Sequence, residues 1–337
     1  MDLSAFSLPC SSECVIAGQQ LKRILVTGAS GFVGQPLVAA LAQAGYAVRA
    51  AVRRPMSFPN TTDVAVVPDY SHPFDWSPIL SDIDVVIHLG GMVHADTIIP
   101  YELFDRVNRA ASQELALAAV GAGVKRFIFI SSIRAQSGPS ADHELSAADK
   151  PRPTDSYGRS KLAAESAVRA AGVPFTIFRP VVIYGPSAKG NIATITRLAS
   201  LPLPLPFGAL TNRRSLFSID NFIFTILFAL NNPATIGQTY VAADPEPISV
   251  RDIFIAIREA LRRRPWLIPI PPKLLEHGLA MLNHTDVWDR LGRELVVDTT
   301  KLRSIGWQPK TDTYRALVAM VHADFPQKLK IMSVYKS

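Results

Sequence analysis

Ile24-Leu25-Val26-Thr27-Gly28-Ala29-Ser30-Gly31-Phe32-Val33-Gly34 is the stretch that decides the fold. An apolar, β-prone run enters glycines spaced G-x-x-G-x-x-G, and Pro36-Leu37-Val38-Ala39-Ala40-Leu41 follows with helical spacing. Strand, tight turn and helix N-terminus in that order form a dinucleotide phosphate site. Gly28 permits the turn, Gly31 lets the backbone approach a pyrophosphate, and Gly34 lets the helix pack on the strand. Free amides at the helix start, in the turn that also holds Ser30, Phe32 and Val33, attract phosphate charge. The bland alternative is a glycine-rich turn with no ligand; the register of strand, triplet and helix argues against it.

Working outward, a strand is expected over 23–27, a helix over 34–44, and a second strand over Ala47-Val48-Arg49-Ala50-Ala51-Val52. About 20 residues after the first glycine an acid normally holds the adenosine ribose. Here Val52-Arg53-Arg54 stands in that region, with no acid until Asp63. Paired guanidiniums suit a 2′-phosphate, so NADP(H) is preferred and NAD(H) remains open; a solvated basic turn is the alternative. Val64-Ala65-Val66-Val67 reads as a third strand, with Asp69 and Tyr70 at the expected adenine edge. Asp84-Val85-Val86-Ile87-His88-Leu89-Gly90-Gly91 reads as a fourth strand, ending in glycines whose backbone can pass close to pyrophosphate and ribose. His88 reads as a packed strand histidine, and His94 lies nearer the substrate without an assigned role. A helix over 103–121 carries Asn108, and Lys125 to Ser132 is a fifth strand ending in two hydroxyls.

A Pro-, Ser- and Asp-rich loop (137–155) precedes a helix beginning Tyr157-Gly158-Arg159-Ser160-Lys161 and running to about Ala171. Tyr157 and Lys161 are i, i+4 and share a face. A phenol titrates near ~10. A lysine ammonium one turn away, with the positive nicotinamide of an oxidised cofactor, would favour the phenolate and make a usable base. The structural alternative is a solvated helix face; five βα units and a Ser-Ser strand end before it favour chemistry.

These motifs in order resemble the extended short-chain dehydrogenase/reductases of the NAD-dependent epimerase/dehydratase type, the group that modifies nucleotide-linked sugars. The resemblance covers about residues 22 to 310. It implies an α/β fold, a Rossmann-type doubly wound parallel sheet with a smaller C-terminal α/β substrate lobe. It places the catalytic triad on Ser132, Tyr157 and Lys161, choosing Ser132 over Ser131 because the family's hydroxyl falls third after the strand's last Phe. It sets Pro180 over the nicotinamide, makes Arg179 structural, and puts Asn191, Arg214 and Arg290 on the substrate diphosphate. The chain departs from the pattern in two places. Gln136-Ser137-Gly138 replaces the usual Tyr-Gly, and Val181-Val182 replaces the Asn of galactose-type 4-epimerases.

Beyond Phe175–Pro180, a sixth strand, Leu203-Pro204-Leu205-Pro206-Phe207-Gly208 forms a rigid wall suited to a flat uracil ring. Asp220 reads as a helix cap, an apolar helix over 221–230 is expected to pack back on the first lobe, and Ser249 caps a helix from Arg251 to Arg262. Arg262-Arg263-Arg264-Pro265-Trp266 reads as a solvated or membrane-facing basic edge. The domain division expected is a loose tail over 1–20, a cofactor domain over 21–185 with 216–245 packing on it, and a substrate lobe from 186–215 and 246–325.

With 337 residues, 48% of them hydrophobic, the chain can bury a large core. A net charge of +7 without an aromatic-interleaved basic patch points to an anionic small substrate or a weak attraction to anionic membrane rather than to nucleic acid. Two cysteines, Cys10 and Cys14, make no metal set and suit a reducing compartment. Residues 1–20 lack a signal-peptide pattern, and no apolar run nears the ~20 residues that span a bilayer, so a cytoplasmic enzyme is expected. The family commonly forms homodimers.

The reaction expected first is reduction by NADPH of the C4 ketone of a UDP-4-keto-6-deoxy-N-acetylhexosamine, as in bacterial surface-polysaccharide synthesis. The alternative is a UDP-hexose 4-epimerase with retained NAD, which uses the same triad. A 4,6-dehydratase would need an Asp-Glu pair where Ile133-Arg134 stand. An idle nucleotide-sensing member and a steroid- or phenylpropanoid-type reductase are the remaining rivals.

Overall fold

A computed structural model describes residues 15–16, 19–20, 23–58, 63–93 and 99–326. Its strands are β1 (Val15–Ile16), β2 (Gln19–Gln20), β3 (Arg23–Thr27), β4 (Ala47–Val52), β5 (Asp63–Val66), β6 (Val85–His88), β7 (Arg126–Ile130), β8 (Phe175–Pro180), β9 (Val182–Tyr184), β10 (Arg213–Arg214), β11 (Leu216–Ser218), β12 (Gln238–Ala242) and β13 (Ile248–Ser249). Its helices in the first half are α1 (Gly34–Gln43), α2 (Tyr101–Phe104), α3 (Ala111–Gly121) and α4 (Ser156–Ala170). Then come α5 (Asn191–Ala199), α6 (Ile219–Asn231), α7 (Val250–Ala260), α8 (Pro272–Met281), α9 (Thr285–Leu291), α10 (Thr300–Arg303) and α11 (Thr313–Asp324).

Seven strands form one parallel sheet in the order β12-β8-β7-β6-β3-β4-β5. The chain winds outward from β3 in one direction and returns to wind outward from β6 in the other, the doubly wound arrangement that opens a crevice at the strands' carboxyl ends. The strands' apolar runs are buried because helices cover both faces. One face packs Ile24, Val26, Leu37, Leu41, Phe222 and Ile226; the other packs Leu25, Val86, Leu115, Phe127, Phe129 and Ala164. A separate cluster built on Tyr184, Leu216, Phe254, Trp288 and Leu317 is the core of a smaller unit. Leu295, Val297, Leu302 and Trp307 pack with the sheet, not with that cluster.

Of the first 20 residues, β1 and β2 alone are described, as an antiparallel pair; Cys10, Cys14 and His94 lie outside the described residues. Two local expectations are corrected. The helix expected over 103–121 is interrupted: Asp105–Ala110 between α2 and α3 is π-helical, a wide turn that often marks a functional site. Asp220 does not cap its helix; the Ser218 hydroxyl accepts from the Asn221 amide, and Asp220 sits in the first turn.

Buried polar groups tie the sheet to α4. Glu165, fully buried, accepts from Arg179 Nε at 2.8 Å and Nη2 at 2.6 Å, from Ser131 Oγ at 2.6 Å and from Arg169 Nη2 at 3.0 Å. Arg179 also donates to Gln136 Oε1, and Gln136 Nε2 donates to the Asp149 carbonyl at 2.8 Å. A buried arginine left without its carboxylate loses far more than a surface pair does. Glu165→Ala is therefore expected to lower unfolding free energy in urea by about 3–5 kcal/mol. Arg169→Ala, at a partly exposed partner, should cost about 1 kcal/mol or less; equal costs for the two would contradict this assignment.

Candidate active site

The turn after β3 is shaped by close approach. Gly28 has φ +69°, and a Cβ there would lie 2.9 Å from the Gly90 amide nitrogen. A Cβ on Gly34 would lie 2.3 Å from the Gly28 carbonyl oxygen, so the start of α1 must press directly on the turn. No side chain caps that start, and helix N-terminal amides without a capping oxygen are the donors a phosphate uses. Ser30 and Gly31 are exposed, while Phe32, Val33 and Leu89 are half-buried and Gly90 and Gly34 are buried. The turns after β3 and β6 thus meet backbone to backbone at the switch point of the sheet, a cradle that fits a dinucleotide.

Along its rim, Arg53 and Arg54 are exposed at the end of β4, with no hydrogen bond or salt bridge to another described residue. Asp69 accepts from the Ser71 amide at 2.9 Å and from its hydroxyl, and these bonds hold its carboxyl below the usual range. Tyr70 turns inward: its ring centroid is 5.6 Å from that of Trp76, and burial pushes its phenol up to about 12. His88 is fully buried, bonded to Thr27 Oγ1 at 2.6 Å and Ser112 Oγ at 2.9 Å, and burial drives its pKa down to about 3. It is a neutral strand residue.

The hydroxyl, phenol and ammonium converge at the carboxyl ends of β6 and β7. Asp155 caps α4, accepting from the Gly158 amide at 2.6 Å, and so fixes the first turn that carries Tyr157. The Ser132 hydroxyl accepts from the Arg134 amide at 3.1 Å and lies near enough to the Tyr157 phenol to oppose the rise in its pKa. Lys161 is buried; its Nζ donates to the Ile130 carbonyl at 2.8 Å and stands 4.5 Å over the Phe129 ring. A Cβ on Gly91 would come 3.9 Å from that Nζ, so the ammonium faces the glycine turn after β6. Asn108, from the π-helical stretch, donates to Ser160 Oγ at 2.9 Å and exchanges hydrogen bonds with the Met92 backbone, joining the same turn to α4. Pro180 is buried at the end of β8.

Electrostatics differ from the expectation at one point. Burial raises the Tyr157 phenol above its ordinary value; the Ser132 hydrogen bond opposes this, Asp155 adds to it, and Arg134 opposes it. Lys161 is not among the causes, because its ammonium is aimed at the strand end. Burial in turn pushes Lys161 down to about 8, with Glu165 resisting. Without a bound cofactor the tyrosine is a protonated phenol at neutral pH.

The sequence marks Arg134 only as standing where a dehydratase pair would be. Its guanidinium bonds Asp155, and its charge acts on both Tyr157 and Arg214. Arg214 Nη1 donates to the Arg293 carbonyl at 2.9 Å, and burial, then repulsion from Arg134, lowers its pKa to about 10. Two guanidiniums therefore act on each other, and one of them, Arg134, on the phenol, an arrangement suited to an anion. Arg290 lies half-buried in the last turn of α9, and Asn191 is exposed at the first position of α5. The signal for Arg134 was its position two residues after Ser132, on a strand end that lines a site. Asp155 could have been found as a cap three residues before Gly158. Gln136 stands where the family's Tyr is usual because it is an internal partner of Arg179. A cavity of about 760 Å³ between the 137–155 loop and Arg293–Glu294 contains none of Ser132, Tyr157 and Lys161. Among the described residues no group of three or more His, Cys, Asp or Glu could hold a metal.

The NAD dependent epimerase/dehydratase family model matches residues 24–243. UDP-glucose 4-epimerase of Vibrio cholerae is 34% identical over 301 residues, 86% of this chain and 91% of that protein. Ceramide reductase of Caulobacter vibrioides is 30% identical over 272 residues, 80% of this chain and 78% of that protein. Among solved structures, UDP-N-acetylglucosamine 4-epimerase from Bacillus cereus shares the fold with a TM-score of 0.72 at 20% identity, covering 91% of this chain and 97% of that one. With a Rossmann-type sheet, a glycine cradle at its switch point and a family match over most of its length, this chain belongs to the NAD-dependent epimerase/dehydratase family.

Proposed function

We propose that the chain is a nucleotide-sugar 4-epimerase, with Ser132, Tyr157 and Lys161 at the reacting centre and UDP-glucose as the first substrate to try. The carrying observation is the gathering at the strand ends of Ser132, whose hydroxyl takes the Arg134 amide, of Tyr157 on the helix that Asp155 caps, and of a buried Lys161 that faces the glycine turn. The relative's activity and its identity over most of both chains support the choice of substrate.

A nicotinamide dinucleotide bound on the turns after β3 and β6 would supply the hydride acceptor and donor. Ser132 orients the C4 oxygen of the sugar. Tyr157, ionised when the positive nicotinamide of the oxidised cofactor is bound, would take the C4 hydroxyl proton as the C4 hydrogen leaves, then return it to the oxygen when the hydrogen comes back on the other face. Lys161, whose ammonium faces the glycine turn after β6, would bond the cofactor ribose. Arg134 and Arg214 hold the diphosphate, with Asn191 and Arg290 contributing from the smaller unit. Residues 21–185 and 216–245 serve the cofactor, and 186–215 with 246–325 serve the sugar nucleotide.

A second reading, reduction of a UDP-4-keto-6-deoxy-N-acetylhexosamine by NADPH, is favoured by one feature: Arg53 and Arg54 stand exposed where an acid would bind a ribose diol. In that reaction Tyr157 donates its proton to the C4 oxygen and the cofactor is consumed.

Purified protein with UDP-glucose or UDP-N-acetylglucosamine is expected to give the C4 epimer without net change in nicotinamide absorbance. Stoichiometric NADPH oxidation by the 4-keto sugar, with no epimer formed, would overturn the epimerase in favour of the reductase. Tyr157→Phe should lower kcat about 10²–10⁴-fold in either case. The lysine must be charged to act, and burial places its titration at about 8, so kcat/KM should be sustained below that pH and decline as pH rises through it. A profile that stays level across that range would remove Lys161 from its role.

A further inference from the structure

Large exposed apolar side chains are concentrated in one part of the molecule. Of the fifteen among the described residues, seven fall in segments 201–203 and 266–282: Leu201, Leu203, Trp266, Ile268, Leu274, Met281 and Leu282. Met281 is 87% exposed, Leu282 67%, Leu274 63% and Trp266 60%. The two segments are bound together, with the Leu205 amide donating to the Trp266 carbonyl at 3.1 Å and the Ile268 amide to the Leu205 carbonyl at 2.8 Å. Beneath them the buried Arg258 guanidinium donates to the carbonyls of Ala199, Leu201, Leu203 and Trp266, so both loops are held as one rigid platform. Two residues beyond Ile270 the chain enters α8, which buries none of its residues. Leu275 and Leu279 rest against the core of the smaller unit. Leu274 and Met281, two turns apart, share a face turned away from it.

The same stretch is basic. Residues 260–284 contain Arg262, Arg263, Arg264 and Lys273 against a single acid, Glu276. Arg262, Arg264 and Lys273 are exposed, whereas Glu276 lies 3.6 Å from Arg293 Nη2. Patches of exposed apolar surface this concentrated mark an interaction site. A tryptophan and leucines interleaved with arginines match a bilayer interface, where the ring and apolar chains enter the acyl boundary and the cations meet headgroup phosphates. Pairing with a second copy about a two-fold axis would set this positive patch against itself.

We propose that this platform docks the protein on the surface of an anionic lipid bilayer. Glu276 of α8 bonds Arg293, whose carbonyl holds Arg214, so docking would present the sugar-nucleotide side of the molecule close to the membrane.

The test is co-sedimentation of the full chain with vesicles of phosphatidylglycerol and phosphatidylcholine, compared with phosphatidylcholine alone. Binding to the anionic vesicles is expected, weakening as salt rises. Trp76, Trp288 and Trp307 are buried, so Trp266 is the exposed indole, and its emission should shift to the blue on binding. Arg262→Glu with Arg264→Glu, and separately Leu274→Glu with Met281→Glu, should each weaken binding at least about tenfold. Turnover of a soluble nucleotide sugar should be unchanged in both variants, which separates this proposal from that of the reaction. Absence of binding to anionic vesicles would overturn it. So would a lipid-free wild-type dimer that becomes monomeric in Leu274→Glu with Met281→Glu, because a second copy would then be the occupant.

Discussion

The site depends on one buried carboxylate. Glu165 has no access to water and takes hydrogen bonds from the end of β7 through Ser131, from β8 through Arg179 and from its own helix through Arg169. These partners meet its charge inside the protein, where an unpaired ion would be strongly unfavourable. The result is geometric. Two strand ends and α4 are held in one register, and Ser132, Tyr157 and Lys161 sit on those three elements or immediately beside them. Gln136 extends the same network to the Asp149 carbonyl, and so restrains the loop that leads into α4.

Above that base each charged group has its own environment. Lys161 is desolvated and aimed at the glycine turn, while Tyr157 is kept as a neutral phenol by its own burial. Arg134 faces both the phenol and Arg214, and Asp155 neutralises part of its charge while capping the helix. The Arg134 and Arg214 guanidiniums act on one another and suit an anionic group. The exposed basic platform of the same unit adds to the excess of cations that gives the chain its net charge of +7.

The pattern of apolar runs and glycines determined the parallel sheet, because strands buried on both faces have little freedom in composition and a turn pressed by backbone tolerates no Cβ. It also determined Tyr157 and Lys161 as a pair, since i, i+4 spacing on a helix is local, and it marked His88 as an interior residue. What it could not determine is where long side chains end. Lys161 reaches the Ile130 carbonyl instead of the phenol, a contact 31 positions apart in the chain. Arg134 acquires its place beside Tyr157 and Arg214 from the meeting of a strand end, a helix cap and a strand of the smaller unit. The π-helical turn that brings Asn108 to Ser160 shows no signature in a helix-forming sequence. Local periodicity is set by backbone geometry and can be read along the chain. The direction of charge at the site, and the gathering of Leu203, Trp266 and Arg264 on one platform, come only from contacts between segments far apart in sequence, and tertiary structure alone decides them.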